Sequence, residues 1–183
     1  MTQARGLRSY LRSGGVIAYP TESIFGLGCD PDNRLAVQRI LRIKQRPKHK
    51  GLILLADRFS AFQRYIAPLT ASQIASMQHS WLGKAPHTWL VPAAKDCPKW
   101  LSGKHKTIAI RVTQHAFSKR LCKQLGMALV STSANKSGHQ PAKTSRQCYK
   151  LFSGQTRILP GMTAGAKKPS TIQDLLTGKI LRK

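Results

Sequence analysis

Acidic residues are scarce in this chain. Of its 183 residues only 6 are Asp or Glu, against 31 Lys and Arg, and the formal net charge is +25. The basic residues are spread along the whole length, and such a surface attracts polyanions such as RNA through their phosphates. The scarcity of carboxylates also argues against a magnesium or calcium site built by the protein alone.

Paired cysteines and long apolar runs are missing as well. Cys29, Cys97, Cys122 and Cys148 are scattered with no C-x-x-C pair, and the six histidines form no H-E-x-x-H pattern. Neither a disulfide framework nor a metal site is therefore predicted. The longest apolar run, residues 52–56, is far shorter than the roughly 20 residues of a membrane helix, and no apolar signal segment opens the chain. We expect a soluble, cytoplasmic protein.

The composition is otherwise that of one globular domain. With 41% apolar residues, a chain of 183 residues can bury roughly 70% of its unfolded surface. Helical spacing of apolar residues alternates with short β-favouring runs, and residues 51–56 are apolar on both faces, as in a strand covered by helices. Residues 1–183 are therefore expected to form a single α/β domain, a twisted mixed sheet flanked by helices.

Capping and turn residues place several of these elements. Residues 70–73 and 144–147 have the spacing of a capping box, in which the side chains of the first and fourth residues satisfy each other's backbone amides. Asp57 is expected to cap a further helix that runs through Tyr65. Residues 177–178, Thr-Gly, are expected to turn the last strands into a terminal hairpin.

The stretch from Val16 to Pro47 carries the densest set of signals. Its apolar start predicts a buried strand, and residues 20–28 predict a loop whose glycines and hydroxyls let a ligand approach the backbone. A helix should follow and end near Lys44, because Pro47 pushes Arg46 out of the helical region. Lys44 and Arg46 would project from the helix end, either as partners of its dipole, worth about 0.3–1 kcal/mol, or as cations facing the loop.

Two later strands carry polar groups. Residues 106–113 alternate so that Arg111 shares a face with Thr107. An exposed arginine is the ordinary interpretation, but hydroxyls on the same face also suit an anion site. Residues 127–130 predict a strand that runs into the hydroxyl-rich segment 131–135. In open α/β sheets ligands bind beyond the carboxyl ends of strands, so this segment is a candidate site.

Known nucleotide-binding and acyl-enzyme motifs are incomplete. Residues 161–167 have the wrong spacing for a phosphate-binding P-loop, and residues 26–28, Gly-Leu-Gly, lack the third glycine of a dinucleotide-binding turn. Ser133 and Lys136 match S-x-x-K, the signature of penicillin-binding proteins, but the companion K-T-G is absent and the serine follows a strand. Composition and spacing alone therefore do not predict ATP.

Three ordered motifs resemble those of the YrdC/TsaC family of threonylcarbamoyl-AMP synthases. They are residues 19–23, Tyr-Pro-Thr-Glu-Ser, with the Gly-Leu-Gly that follows; residues 44–47, Lys-Gln-Arg-Pro; and residues 131–138, Ser-Thr-Ser-Ala-Asn-Lys-Ser-Gly. The resemblance runs from about Gly14 to the C-terminus. It implies a YrdC-like fold with a concave basic cavity.

The resemblance also implies an activity. It would be a nucleotidyltransferase that makes threonylcarbamoyl-adenylate and pyrophosphate from L-threonine, bicarbonate or CO2, and ATP, for the t6A modification of transfer RNA. The implied partners are transfer RNA or double-stranded RNA and the proteins that transfer the threonylcarbamoyl group onward. Mg²⁺ would be carried on the ATP phosphates rather than by protein ligands.

Individual residues receive roles from the same resemblance. Lys44 and Arg46 would be catalytic, because a mechanism without a protein nucleophile needs positive charge at the triphosphate. The residues that would bind threonine are Thr21, Arg111, Ser131 and Ser170. The residues that would bind ATP are Lys44, Arg46, Lys48, Thr107, Ser133, Asn135, Pro141 and Arg182. Glu22 has no role in this pattern beyond a cap or turn hydrogen bond.

The chain departs from the family pattern in one loop, and a second hypothesis stays open. Many relatives carry Trp-Pro-Gly-Pro-x-Thr, whereas residues 81–88 read Trp-Leu-Gly-Lys-Ala-Pro-His-Thr, so a contact through Thr88 is in doubt. The alternative function is a basic module that binds double-stranded, transfer or ribosomal RNA without catalysis. Since no regular aromatic stacking platform is visible, such a module would recognise RNA shape and phosphate.

Overall fold

The computed structural model describes residues 2–83, 85–166 and 168–182. The helices are α1 (Thr2–Arg12), α2 (Arg34–Lys44), α3 (Ala71–Trp81), α4 (Lys99–Ser102), α5 (Ala116–Leu125) and α6 (Ser145–Phe152), with a 3-10 helix at Phe59–Tyr65. The strands are β1 (Ile17–Pro20), β2 (Phe25–Cys29), β3 (Ile53–Ala56), β4 (His87–Pro92), β5 (Thr107–Val112), β6 (Leu129–Ser133), β7 (Arg157–Ile158), β8 (Thr171–Asp174) and β9 (Ile180–Arg182).

These strands form one mixed sheet, which confirms the predicted fold class. Their order across the described part of the sheet is β7-β1-β2-β6-β3-β5-β4-β8-β9. The pairs β1 with β7, β3 with β5, and β4 with β8 are parallel, and the other neighbours are antiparallel. The hairpin of β8 and β9 places the last described residues at one edge of the sheet, as the turn at residues 177–178 predicts.

Both faces of the sheet are buried at β1. Along β1, Ile17 and Tyr19 pack on one face with helices α1 and α5, whereas Ala18 packs on the other face with α2 and α6. Successive side chains of a strand point to opposite faces, so a strand covered by helices on both sides must be apolar throughout. Each fully buried aliphatic or aromatic side chain contributes about 1.5–3 kcal/mol to folding.

Most of the predicted element ends are confirmed. Thr70 with Gln73, and Thr144 with Gln147, form complete capping boxes at the starts of α3 and α6. Helix α2 ends at Lys44, where Gln45 takes a left-handed conformation with φ 51°.

The expectation that Asp57 caps a helix is wrong. The helix that follows is 3-10, its N-cap is Arg58 without a side-chain hydrogen bond, and the Asp57 carboxylate instead pairs with Arg58 at 2.9 Å.

Two further expectations are corrected by strand pairing. Residues 20–28 are not a loop throughout, because β2 begins at Phe25 and pairs antiparallel with β1. Gly28 lets β2 pack closely between β1 and β6, because a Cβ at this position would lie 2.8 Å from both the Tyr19 ring and the Val130 carbonyl oxygen. Ser131 and Ser133 lie within β6, which is antiparallel to β2 and β3, so they do not follow a parallel strand's carboxyl end.

The helices were also compared with the requirements of a membrane span. Within residues 2–83, 85–166 and 168–182, none has the length and apolar character needed to cross a bilayer.

Candidate functional site

A cavity of about 630 Å³ brings most of the predicted site residues together. It is lined by parts of β2, β5, β6 and the terminal hairpin, together with the segments that follow α2 and precede β8. This volume falls in the range of small-molecule sites, roughly 300–1,000 Å³. The predicted site residues that line it are Thr21, Arg46, Thr107, Arg111, Ser131, Ser133, Asn135, Pro141, Ser170 and Arg182. Lys44 and Lys48 are not among its lining residues.

Ser131 is held from behind by a tyrosine. The Tyr19 hydroxyl donates to Ser131 Oγ at 2.9 Å, and the tyrosine is fully buried. Burial is the main reason that the pKa of Tyr19 is raised, so its hydroxyl stays protonated and remains a donor. Gly26 of β2 lies beside Ser131, since a Cβ at that glycine would come within 3.5 Å of Ser131 Oγ. The sheet therefore fixes the position of the Ser131 hydroxyl at the cavity wall.

Arg111 is buried rather than exposed. Its side chain is 10% exposed, and one guanidinium nitrogen lies 3.5 Å from Glu22 Oε2. Burial acts to raise the pKa of Glu22, but the Arg111 charge and a hydrogen bond from Thr113 outweigh burial, and the net effect lowers that pKa. Glu22 is therefore ionised at neutral pH. Because Arg111 lines the cavity, it presents a buried cation to any ligand there.

Ser170 connects the terminal hairpin to the altered loop. The Arg182 guanidinium donates to the Ser170 carbonyl oxygen at 2.8 and 3.0 Å and to Ser170 Oγ at 2.9 Å. Thr88 is fully buried, and its hydroxyl donates to the same Oγ at 2.9 Å. Thr88 thus supports Ser170 from behind, although it does not itself line the cavity.

Lys44 differs from its expected geometry. The residue is only 2% exposed, and its ammonium is surrounded by the segment after β6 rather than facing the cavity freely. It donates to the Ser133 carbonyl oxygen, to the Asn135 carbonyl oxygen at 2.8 Å and to Asn135 Oδ1 at 3.1 Å. Burial, with a smaller effect from Arg46, lowers the pKa of Lys44 to about 8.

Arg46 is the cation that reaches the cavity from the end of α2. Its guanidinium donates to the Gly51 carbonyl oxygen at 2.9 Å and to the Lys50 carbonyl oxygen at 3.3 Å, and these bonds hold it against the loop. Burial lowers the pKa of Arg46, but an arginine stays charged at neutral pH. Lys48 is exposed on the turn of that loop, outside the cavity lining.

The segment after β6 is rigidly bonded. Ser133 Oγ donates to Asn135 Oδ1 at 2.5 Å, and the side-chain nitrogen Nδ2 of Asn135 donates to the His139 carbonyl oxygen at 2.6 Å. Ser133 has no histidine partner among its described hydrogen bonds, and Lys136 is exposed. Lys44 Nζ lies 3.4 Å from Ser133 Oγ, but its ammonium also donates to oxygens of Ser133 and Asn135, and Ser133 Oγ itself donates to Asn135 Oδ1. The proton of Ser133 thus points to Asn135 rather than to a base, which favours Ser133 as a non-covalent contact.

Sequence reasoning missed the groups that support these residues. Glu22 contacts Arg111 and is itself held by Thr113, and Tyr19 supports Ser131. It also missed the apolar wall, to which Leu52 and Leu90 contribute. One available signal was that Glu22 is the sole glutamate of the chain. These wall residues lie far apart in sequence, so no local pattern could have grouped them.

The chain is similar to a known protein family and to named proteins. A family model named Sua5/YciO/YrdC, with the description "Telomere recombination", matches residues 9–183. The threonylcarbamoyl-AMP synthase of Methylobacillus flagellatus is 58% identical over 98% of this chain and 99% of its own length. The threonylcarbamoyl-AMP synthase of Thiobacillus denitrificans is 52% identical over 97% of this chain and 93% of its own length.

Solved structures show the same fold. The crystal structure of E. coli YciO superimposes with a TM-score of 0.83 at 26% identity, covering 100% of this chain and 89% of that one. The crystal structure of P. abyssi Sua5 complexed with L-threonine has a TM-score of 0.82 at 25% identity, covering 93% of this chain. This chain spans 50% of the length of that protein.

Proposed function

This chain belongs to the Sua5/YciO/YrdC family, and we propose that it is a threonylcarbamoyl-AMP synthase. The enzyme would convert L-threonine, bicarbonate or CO2, and ATP into threonylcarbamoyl-adenylate and pyrophosphate. The observation that carries this proposal is a single cavity lined both by Arg46, Ser133 and Asn135 and by Arg111 and Ser131. The names of the close relatives and the threonine complex of P. abyssi Sua5 support it.

The chemistry needs alignment and positive charge more than a reactive side chain. The threonine amine adds to CO2 and loses a proton, which gives a carbamate. A carbamate oxygen then attacks the α-phosphorus of ATP, and the bond to the β-phosphate oxygen breaks to release pyrophosphate. Holding the reactants in line removes much of the entropic barrier, and cations stabilise the charge that develops on the phosphates. A site that offers arginines and hydroxyls, without a side-chain nucleophile activated by a neighbouring basic residue, fits this reaction.

Threonine would bind beside Arg111. A guanidinium can hold a carboxylate through two parallel hydrogen bonds, and burial strengthens such a pair. The hydroxyls of Thr21, Ser131 and Ser170 line the same cavity and would bond the remaining polar groups of the amino acid. The fixed positions of Ser131 and Ser170, each supported by a buried hydroxyl, would favour one orientation of the substrate.

ATP would occupy the part of the cavity that Arg46 and Asn135 line. Arg46 and Arg182 would contact phosphate oxygens, and Lys44 would act from behind by holding the segment after β6 in place. The remaining proposed nucleotide contacts are Thr107, Ser133 and Pro141. A direct contact through Lys48 stays a prediction, because its side chain lies on the exposed turn outside the lining.

Mg²⁺ would arrive with the nucleotide. In the described ranges no cluster of three or more His, Cys, Asp or Glu side chains could hold a metal ion. Glu22, the glutamate beside the cavity, is already engaged by Arg111 and Thr113. Magnesium commonly keeps several water ligands and binds through substrate phosphates, so a site without its own carboxylate cage suits an ATP-borne ion.

The proposed reaction is tested by pyrophosphate release. The wild-type protein should release pyrophosphate from ATP only when threonine and bicarbonate are both present. Arg46→Ala should lower kcat/KM for ATP by about 10- to 1,000-fold, because a phosphate-contacting cation is lost. Arg120→Ala, which removes an exposed arginine from α5, is the matched control and should keep full activity. A wild-type protein without this dependence on both substrates would contradict the synthase and favour a binding module.

RNA is the second partner that we propose, on the strength of a separate basic surface. A depression of about 590 Å³ is lined by Arg39, Arg42, Ile43, Gln45, Lys136 and Gln155. None of the ion pairs in the described part of the chain involves its three cations. Together with a net charge of +25, this surface fits the phosphates of transfer RNA, whose threonylcarbamoylation would follow in partner proteins.

Salt titration tests the RNA contact. Affinity for a transfer RNA should fall steeply as salt rises, since phosphate contacts release counterions. The double variant Arg39→Glu with Arg42→Glu should weaken binding. It should also make the dependence of the binding constant on salt less steep, by the amount expected for the loss of about two phosphate contacts. Arg120→Glu with Lys123→Glu makes the same charge change on α5 and is the control. Equal losses in both double variants would indicate a diffuse charge effect and contradict a site at this depression.

A further inference from the structure

Glu22 has a buried carboxylate with two specific partners. Its side chain is 13% exposed, and Oε1 accepts a hydrogen bond from the Thr113 hydroxyl at 2.7 Å. Oε2 faces the guanidinium of Arg111 at 3.5 Å. In a chain with 6 acidic residues and a net charge of +25, this carboxylate is placed against one of the arginines that line the cavity.

The Glu22 carboxylate contacts the cavity-lining residue Arg111. Arg111 lines the cavity, whereas Glu22 does not. Among the described residues, Glu22 Oε2 and Arg111 Nε are both buried without a hydrogen-bond partner. A guanidinium and a carboxylate can form two parallel bonds, and hydrogen bonds in a ligand-free site are often long and tighten when substrate binds. Each partner of the pair therefore retains one buried atom whose hydrogen-bonding capacity is unused.

The backbone of Glu22 is fixed independently of its side chain. The Glu22 carbonyl oxygen accepts from the Ala166 amide at 3.0 Å, and the neighbouring Thr21 amide donates to the Ile24 carbonyl oxygen at 3.0 Å. Thr113 is fully buried, and its hydroxyl oxygen also accepts from the His115 amide at 3.2 Å. A change in the Glu22 side chain should therefore leave these backbone contacts in place.

The charges around Arg111 explain why a counter-charge is needed. Burial, with a further contribution from Arg111, lowers the pKa of Arg182, so these two guanidinium groups repel each other. A buried charge that loses its partner is strongly unfavourable and tends to turn toward solvent or another anion. Glu22 offsets one of the two positive charges while leaving the cavity with a net attraction for carboxylate and phosphate.

We propose that Glu22 is a positioning residue that orients the Arg111 guanidinium toward the carboxylate of the amino acid substrate, and that Thr113 holds Glu22 in place. This inference rests on the proposed function, because it assigns threonine to Arg111. The competing explanation is an ion pair that only stabilises the fold.

Steady-state kinetics separates these explanations. Glu22→Gln keeps the shape of the side chain and removes its charge. It should raise the KM for threonine by about 10- to 100-fold, since a small misplacement of a binding group is enough for such a loss. The KM for ATP should change by less than about threefold, because Arg111 belongs to the threonine contacts. A purely structural pair would alter thermal stability and leave the two KM values in their original ratio.

A double-mutant cycle tests whether Glu22 acts through Arg111. Arg111→Lys keeps the positive charge but loses the fork of the guanidinium. If Glu22 works by orienting that fork, adding Glu22→Gln to Arg111→Lys should change the KM for threonine by less than about threefold. Independent effects that multiply would contradict the proposal.

Thr113 supplies a second test that does not depend on the folding of the Glu22 variant. Thr113→Val removes the hydroxyl but keeps the shape, and it should raise the KM for threonine by about three- to tenfold. Thr113→Ser retains the hydroxyl and should stay within about twofold of the wild type. Equal KM values in the two variants would overturn the role of Thr113.

Threonine binding by calorimetry distinguishes failure of this inference from failure of the proposed function. A wild-type protein that neither binds threonine nor releases pyrophosphate would overturn the proposed function, and this inference with it. An active wild type, with threonine affinity and KM unchanged in Glu22→Gln, would overturn the positioning role alone. An active wild type with the threonine-specific loss in Glu22→Gln and in Thr113→Val would support it.

Discussion

The ammonium of Lys44 donates to both the carbonyl oxygen and the side-chain oxygen of Asn135, at 2.8 and 3.1 Å. Helix α2 is thereby fastened to the segment after β6 across 91 positions of sequence. The backbone amide of Ser137 also donates to the Lys44 carbonyl oxygen at 2.8 Å. Lys44 thus holds the segment after β6 as a buried clamp, and Arg46 rather than Lys44 lines the cavity.

Removing the clamp should affect stability and nucleotide binding together. Lys44→Met keeps the apolar part of the side chain but removes the lysine donor from the Asn135 carbonyl oxygen and one of the two donors from the Ser133 carbonyl oxygen. We expect a loss of about 1–3 kcal/mol in the free energy of unfolding, because unsatisfied buried acceptors are costly. The KM for ATP should rise as well. Urea denaturation and pyrophosphate assays measure both effects.

The matched control for this change is Lys123→Met. Lys123 is exposed on α5 and lies outside the cavity. A surface substitution of this kind should change stability by no more than about 0.5 kcal/mol. If the two variants lose equal stability, the hydrogen bonds of Lys44 contribute nothing beyond those of a surface lysine.

Stability should rise with pH in the alkaline range because of the same lysine. The pKa of Lys44 is about 8 in the folded protein, against 10.5 for a lysine in the unfolded chain. Between these values the unfolded chain carries the proton and the folded chain does not, so the unfolded state binds more protons and raising pH favours folding. The contribution is fully present above pH 10.5 and is lost as pH falls through 8.

The difference between two proteins isolates this effect from other titrations. The free energy of unfolding of the wild type, minus that of Lys44→Met, should increase from pH 8 toward pH 10.5. Urea denaturation at intervals across that range measures it. A difference that stays constant or decreases with pH would mean that burial does not depress the pKa of Lys44.

Ser133→Ala should retain activity. Ser133 Oγ donates to Asn135 Oδ1 at 2.5 Å, so its loss loosens the segment that would contact ATP. We expect the KM for ATP to rise by roughly three- to tenfold, the equivalent of about 0.6–1.4 kcal/mol for a hydrogen bond. Loss of a covalent nucleophile would instead remove activity by many orders of magnitude. Pyrophosphate release at saturating ATP decides between these outcomes.

Two glycine substitutions should have opposite effects. A Cβ at Gly28 would meet the Tyr19 ring and the Val130 carbonyl oxygen at 2.8 Å, so Gly28→Ala should lower stability by about 1–3 kcal/mol. It should also disturb the Tyr19 hydroxyl that holds Ser131. Gly6 lies in α1, and a Cβ there would have no neighbouring atom within 4 Å, so Gly6→Ala should raise stability by about 0.5–1 kcal/mol. Thermal unfolding of both variants checks the two signs.

A loss of stability in both variants would contradict the expectation that the space around each glycine decides the sign of the effect. No change in Gly28→Ala would show that β1 can shift away from β2. The KM for threonine in Gly28→Ala reports whether Ser131 has moved with Tyr19.

The family, the α/β class and most element ends were predicted from the chain itself, and the comparisons and structure confirm them. These features depend on local order along the chain. Capping boxes join residues three positions apart, and a proline stops a helix within a few residues, so their physical causes lie inside short windows. The motif around Lys44 and Arg46 is of the same kind.

Only the tertiary structure decided which of those cations reaches the cavity and which supports it. Lys44 and Arg46 are two residues apart, yet one bonds the segment after β6 and the other bonds the loop that precedes β3. The buried pair of Glu22 and Arg111 likewise forms between β5 and a turn distant in sequence. Burial and the direction of a side chain depend on which strands become neighbours, and that is set by packing across the whole sheet rather than by any local pattern.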